Sequence, residues 1–103
     1  FQAAKELLSR GVEFDAVVAA SDLIAIGALR ALQDSGIEVP RQVSVAGFDD
    51  IPAATSTSPP LTTVMQDTRR AGELLVETLL RQIAGDPVTN SVIPTRLVVR
   101  KSA

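Results

Sequence analysis

Apolar positions recur along this chain in two patterns, one helical and one strand-like. In FQAAKELLSRG, Ala3, Ala4, Leu7 and Leu8 share one face while Lys5, Glu6 and Arg10 share the other, so a helix is predicted that stops at Gly11. FDAVVAA follows as a short apolar run, and its length and valines suit a buried parallel strand over 16–20. Ser21 or Asp22 then caps a second helix, LIAIGALRALQDSG, whose buried candidates are Leu23, Ile26, Leu29, Ala31 and Leu32. Gly36 stops that helix and Pro40 prevents its return. VSVAGF reads as a second buried strand ending at Asp49 and Asp50. IPAATSTSPP reads as a loop with one helical turn after Pro52, and LTTVMQ as a third strand. Asp67 or Thr68 caps the most regular helix, in which Ala71, Leu74, Leu75, Thr78, Leu79 and Ile83 form one stripe. Arg69, Arg70, Glu73, Glu77 and Arg81 are left to solvent, and Gly85, Asp86 and Pro87 end the helix. SVIPTRLVVRK alternates as a last strand, with Pro94 confining part of it to an edge or bulge.

Strands alternating with helices predict an α/β fold: a mostly parallel sheet flanked by helices in three layers, with right-handed crossovers. The chain has 103 residues, which is one domain at most. Its net charge is −2, whereas a face built to neutralise phosphates would be basic, so this segment is not expected to bind nucleic acid itself. Aromatic residues are three Phe, with no Trp or Tyr, so a pocket that stacks on a ring would need side chains from elsewhere. The absence of Cys and His removes the commonest zinc ligands, cysteine nucleophiles and His-centred triads, and it fits a reducing cytoplasm. No apolar run is long enough to cross a bilayer, and no cofactor or metal site is expected. The first residue is Phe rather than Met, so the lack of a visible signal peptide carries little weight.

Ligands of open α/β sheets bind beyond the carboxyl ends of parallel strands. Polar groups stand at two such ends, Ser21-Asp22 and Asp49-Asp50. An ionised carboxylate there can accept hydrogen bonds from two adjacent hydroxyls of a sugar. Asp22 reads first as a helix cap and Asp50 as a turn residue before Ile51-Pro52. Asp49 directly follows the strand and is the stronger ligand candidate. Adjacent Asp49 and Asp50 point in different directions and do not form the opposed carboxylate pair of a glycosidase. A magnesium site on the same carboxylates would be unspecific. Gly47 and Gly36 read as backbone devices, for close approach and for turning. Gly27, alone in mid-helix, implies close packing against the sheet or a second subunit.

The run VVAASDLIAIGALRALQDSGIEVPRQVSVAGFDDIP, followed by SPPLTTVMQD and PTRLVVRKS, resembles the C-terminal third of the lactose/galactose-repressor (LacI/GalR) family of bacterial transcription regulators. The resemblance implies a periplasmic-binding-protein-like effector domain, a non-enzymatic role, and a small-molecule effector that is a sugar or is nucleoside-like. It implies a cytoplasmic homodimer that reaches operator DNA through an N-terminal headpiece outside this segment. It divides the chain into 1–65, part of the C-terminal effector subdomain; 66–90, a crossover and helix packing on an N-terminal subdomain; and 91–103, a strand crossing back and a tail. Asp49 matches the family's effector-binding carboxylate. Ser21 matches a position that is often Asn, and Gln66 and Thr68 match cleft-lining positions, with Thr68 where an aromatic residue can stand. Ile26, Gly27, Arg30, Ala53 and Thr57 match the dimer contact. The helix stripe, lacking its subdomain, would dock on the sheet, pair with another copy or be exchanged between chains. A sugar-binding protein of a transport system shares the fold and is the alternative, and a sugar-modifying enzyme is a third reading.

Overall fold

The computed structural model describes residues 1–103 as helices α1 (Gln2–Ser9), α2 (Asp22–Asp34) and α3 (Thr68–Ile83), with strands β1 (Ala16–Val18), β2 (Ser44–Asp49), β3 (Thr62–Met65) and β4 (Arg96–Val98). A single 3-10 turn spans Pro52–Thr55, where the helical turn after Pro52 is predicted. The sheet runs β1-β2-β3-β4, parallel through the first three strands and antiparallel at β4. Each outer strand is shorter than the apolar run that predicts it. β4 begins only after Pro94, which has no N–H for a ladder.

Local chemistry explains where the helices start and stop. Ser21 has extended backbone and its Oγ accepts from the N–H of Ile24 at 3.4 Å, so Ser21 rather than Asp22 caps α2. Gly36 has φ +74°; its N–H reaches the Gln33 carbonyl while the Ile37 N–H reaches that of Leu32. This paired closure needs a left-handed residue at the position that Gly36 fills. Gly85 ends α3 in the same way, and Asp67 Oδ1 caps its start by accepting from Arg70 N–H at 2.9 Å.

The core lies where α2 rests on β2. Ala25, Leu29, Leu32, Val43, Val45, Ala54 and Leu61 are buried there, with Ile26, Ile37 and Val39 packed at its margin. Leu23, a predicted core residue, is 72% exposed. Its place is taken by Asp22, which is fully buried, and the inward face continues through Ala25, Leu29 and Leu32. One residue turns the helix by about 100°, so fixing Asp22 inward turns Leu23 outward. Small residues on that face let α2 approach closely. Gly47 has no side chain to obstruct it: a Cβ there would collide with Asp22 Oδ1 and stand 3.1 Å from Leu61 Cδ2 and 3.2 Å from Ala25 Cβ.

Two elements are less enclosed than their sequences predict. β1 is an edge strand rather than a buried one, and Val18 is 83% exposed. α3 buries no residue: Leu75, Leu79 and Ile83 are 72%, 56% and 74% exposed. The stripe does not fold back onto the sheet; it faces only the extended segment around Thr89–Ile93. The molecule is accordingly elongated, 58 × 25 × 17 Å, with a radius of gyration of 18.0 Å against the roughly 13 Å expected of a compact chain this long. No helix is long and apolar enough to cross a membrane.

Candidate functional site

Because β1, β2 and β3 are parallel neighbours, Ser21, Asp49 and Gln66 all lie at the carboxyl-end edge of one sheet. Asp49 is the last residue of β2, paired in register with Met65 of β3. Gln66, one residue further on, donates from Nε2 to Asp49 Oδ1 at 2.7 Å. Thr68 sits in the first turn of α3, exposed, its N–H bonded to the Gln66 carbonyl at 3.0 Å. Asp49 and Gln66 are therefore brought together, Thr68 stands beside them, and the Ser21 hydroxyl is engaged in capping α2. A carboxylate and a carboxamide side by side offer acceptor oxygens and a mixed donor–acceptor, with capacity to hydrogen-bond neighbouring hydroxyl groups.

The backbone under this pair is unusual. Asp49 has φ +120° and Asp50 φ +59°, in the region L-residues avoid. Such conformations cost about 1–3 kcal/mol each and persist only where their surroundings hold them. Asp22 supplies one hold: its Oδ2 accepts from the N–H of Ile51 at 2.9 Å, while Oδ1 accepts from Thr63 Oγ1 at 2.5 Å. Asp22 is thus neither a helix cap nor a ligand contact but a buried tie between α2, β3 and the turn after β2. Arg100 supplies another. Its guanidinium donates to Asp50 Oδ1 at 2.6 Å and to the Leu61 carbonyl at 2.8 Å. Asp50 is therefore ion-paired rather than a simple turn residue. The tail is itself pinned by Ser102, fully buried, whose Oγ donates to the Val45 carbonyl at 2.6 Å and accepts from Thr62 N–H at 2.8 Å.

The expected dimer residues mostly cluster as well. Ile26, Arg30, Ala53 and Thr57 line one groove between α2 and the loop after β2, together with Leu29 and Gln33. Gly27 faces α1 instead. An added Cβ would come within 2.7 Å of the Phe1 nitrogen, so its missing side chain serves packing within the chain. On α3, Arg70 bridges Glu73 and Glu77, and the hydrogen bond with Glu73, ahead of the charge of Glu77, raises its pKa above the usual arginine value. No group of His, Cys, Asp or Glu is arranged to hold a metal ion.

Arg100 and Ser102 escape sequence reasoning, because nothing in a strand-like tail distinguishes a side chain that folds back. Asp22 left a faint sign: with Ser21 already available as the cap, a second capping residue is redundant.

The chain matches the periplasmic binding protein-like domain family over residues 2–103. It is 47% identical to the transcriptional regulator MalR of Streptomyces coelicolor over 97% of this chain and 29% of that protein. It is 39% identical to a lactose operon repressor of Rhizobium radiobacter over all of this chain and 92% of that sequence. Among solved structures it superposes on the lac repressor dimer bound to operator and the anti-inducer ONPF with a TM-score of 0.95, at 39% identity over 99% of this chain and 31% of that one. On the complex of the transcriptional regulator CelR with cellobiose the TM-score is 0.92, at 41% identity, over 99% of this chain and 32% of that one. The fold is therefore that of a periplasmic-binding-protein-like effector domain. The chain belongs to the LacI family of transcription regulators and spans less than a third of the length of MalR, matching part of one effector domain. These relatives are regulators rather than enzymes or transport proteins.

Proposed function

We propose that this chain forms the C-terminal part of the sugar-sensing region of a cytoplasmic, homodimeric DNA-binding regulator, with Asp49 and Gln66 contacting effector hydroxyls and Thr68 and Ser21 at the margin. The observation that carries the reading is the Asp49–Gln66 pair at the carboxyl edge of the parallel strands, 2.7 Å apart and open to solvent on one side. Support for a sugar comes from the cellobiose complex of CelR and for a dimer on operator DNA from the lac repressor assembly. Residues 1–65 belong to the effector subdomain, 66–90 pack on a preceding N-terminal subdomain, and 91–103 cross back. The uncovered stripe of α3 fits that division, since an apolar helix face of this extent needs a partner. Ile26, Arg30, Ala53 and Thr57 form part of the subunit contact. An effector that binds one arrangement of the two subdomains more tightly shifts the population toward it and alters how the headpieces meet their operator half-sites.

The test is a thermal-shift screen of the full-length protein against mono- and disaccharides and nucleosides, followed by calorimetry on the best binder. Asp49→Ala is expected to weaken that binding by about 10- to 100-fold, the worth of a hydrogen bond to a charged group, and to leave operator affinity nearly unchanged. Unaltered effector affinity removes Asp49 from the site. Measurable turnover of the bound sugar, lost in Asp49→Asn, replaces the sensor reading with an enzymatic one.

A further inference from the structure

We infer that Asp50 and Arg100 form a positioning pair that aims the Asp49 carboxylate, an inference that rests on the effector site proposed above. Two consecutive aspartates hold left-handed backbone, so the peptide joining them has little freedom and its orientation decides where the Asp49 side chain points. One flank of this turn is held by Asp22 through the Ile51 N–H. Without Arg100 the other flank would be free at Asp50. The ion pair is mostly buried, with 20% of the Asp50 side chain and 17% of the Arg100 side chain exposed, unlike the open pairs on α1 and α3. Arg100 is in turn fixed from two further directions, by its second guanidinium nitrogen on the Leu61 carbonyl and by its own N–H on Thr62 Oγ1 at 2.9 Å. A planar fork so held cannot follow Asp50 if the turn relaxes; it restrains it. Releasing the pair lets the Asp49–Asp50 peptide rotate toward ordinary backbone and turns the carboxylate away from Gln66. Arg100 lies 50 residues from Asp50, in the tail that follows β4, so the aim of the effector-contacting group depends on that distant stretch of chain.

The test needs no ligand. Hydrogen exchange is followed in the full-length protein across residues 48–52, with residues 28–32 of α2 as the internal control. Asp50→Ala and Arg100→Met are each expected to speed exchange at 49–51 by about 10- to 100-fold, as loss of a charge-assisted hydrogen bond implies, while the control is unmoved. The double variant is expected to match either single one, because the two side chains act as a unit. Arg100→Lys, which keeps the charge, is expected to restore part of the protection. The Gln66 side-chain amide resonance is expected to shift in Asp50→Ala, because its partner has moved. An unchanged 48–52 segment, an equal speed-up in the control, or additive effects in the double variant overturn the inference. Failure of the sugar-sensing reading shows elsewhere, in the ligand screen and in Asp49→Ala, and leaves these exchange rates readable.

Discussion

Gly47→Ala tests whether the closeness of α2 to the sheet is set by the Asp22 carboxylate. The new methyl would fall on Asp22 Oδ1 and press on Leu61 and Ala25, all three of them fully buried. Overpacking of this kind costs about 1–3 kcal/mol on its own. Asp22 cannot retreat without loosening its bonds to Thr63 and Ile51, each worth about 1.5–3 kcal/mol as hydrogen bonds to a charged group. The expected loss is therefore about 3–5 kcal/mol, at the high end for one added methyl. Asp22→Ala is expected to cost a similar amount, since it strands the Thr63 hydroxyl and the Ile51 N–H. Combining the two removes the collision, so the double variant should be more stable than the sum of the singles by about 2 kcal/mol, within the range seen for side chains in contact. Native-state hydrogen exchange at Leu29 and Leu32, on the buried face of α2, reads these energies as opening free energies without requiring the whole protein to melt in one step. If Gly47→Ala costs as much with Ala at position 22 as with Asp, the carboxylate does not govern the packing and the reasoning fails.

Three further outcomes follow from the same structure. Ser102→Ala should lower stability by about 1–3 kcal/mol, because Thr62 N–H loses its acceptor in a place water does not reach; urea midpoints of the two proteins check this. Ile26→Glu, placing a charge in the groove beside Arg30 and Thr57, should shift the full-length protein toward monomer in sedimentation runs at low concentration, and an unmoved distribution excludes that groove from the subunit contact. Leu75→Lys should destabilise the full-length protein by about 1–3 kcal/mol if another subdomain covers α3, measured as a fall in its thermal midpoint, whereas a side chain that stays 72% exposed would show almost no change.

Much of this architecture is legible from residue order. Gly11, Gly36 and Gly85 end the three helices at left-handed residues, as their positions after apolar stripes predict. The alternation of short apolar runs with helices gives the mostly parallel sheet, though not the order of its strands, and strand ends followed by Asp49 and by Gln66 mark the edge where the two side chains meet. Leu23 and Asp22 are the instructive failure. Periodicity weighs side chains by size and greasiness, so it turns Leu23 inward. The actual orientation of α2 is decided by one carboxylate and a missing Cβ 25 residues away, a tertiary pairing with no local trace. The same holds for Arg100 with Asp50 and for Ser102 with Val45, where partners 50 and 57 residues apart leave no spacing to read. The stripe of α3 is a different case: the amphipathic pattern is plain in the sequence, but a pattern names a face and not the surface that covers it.

The pinning of Ser102 between Val45 and Thr62 also bears on how the polypeptide emerges from a ribosome. β2 and β3 leave the exit tunnel before residue 102 does, so for that interval Val45 and Thr62 have backbone groups waiting on a residue that has yet to emerge. The sheet can gather early, yet it locks only when this late stretch arrives, and a nascent chain held back before that point would present an unlatched sheet to chaperones and proteases.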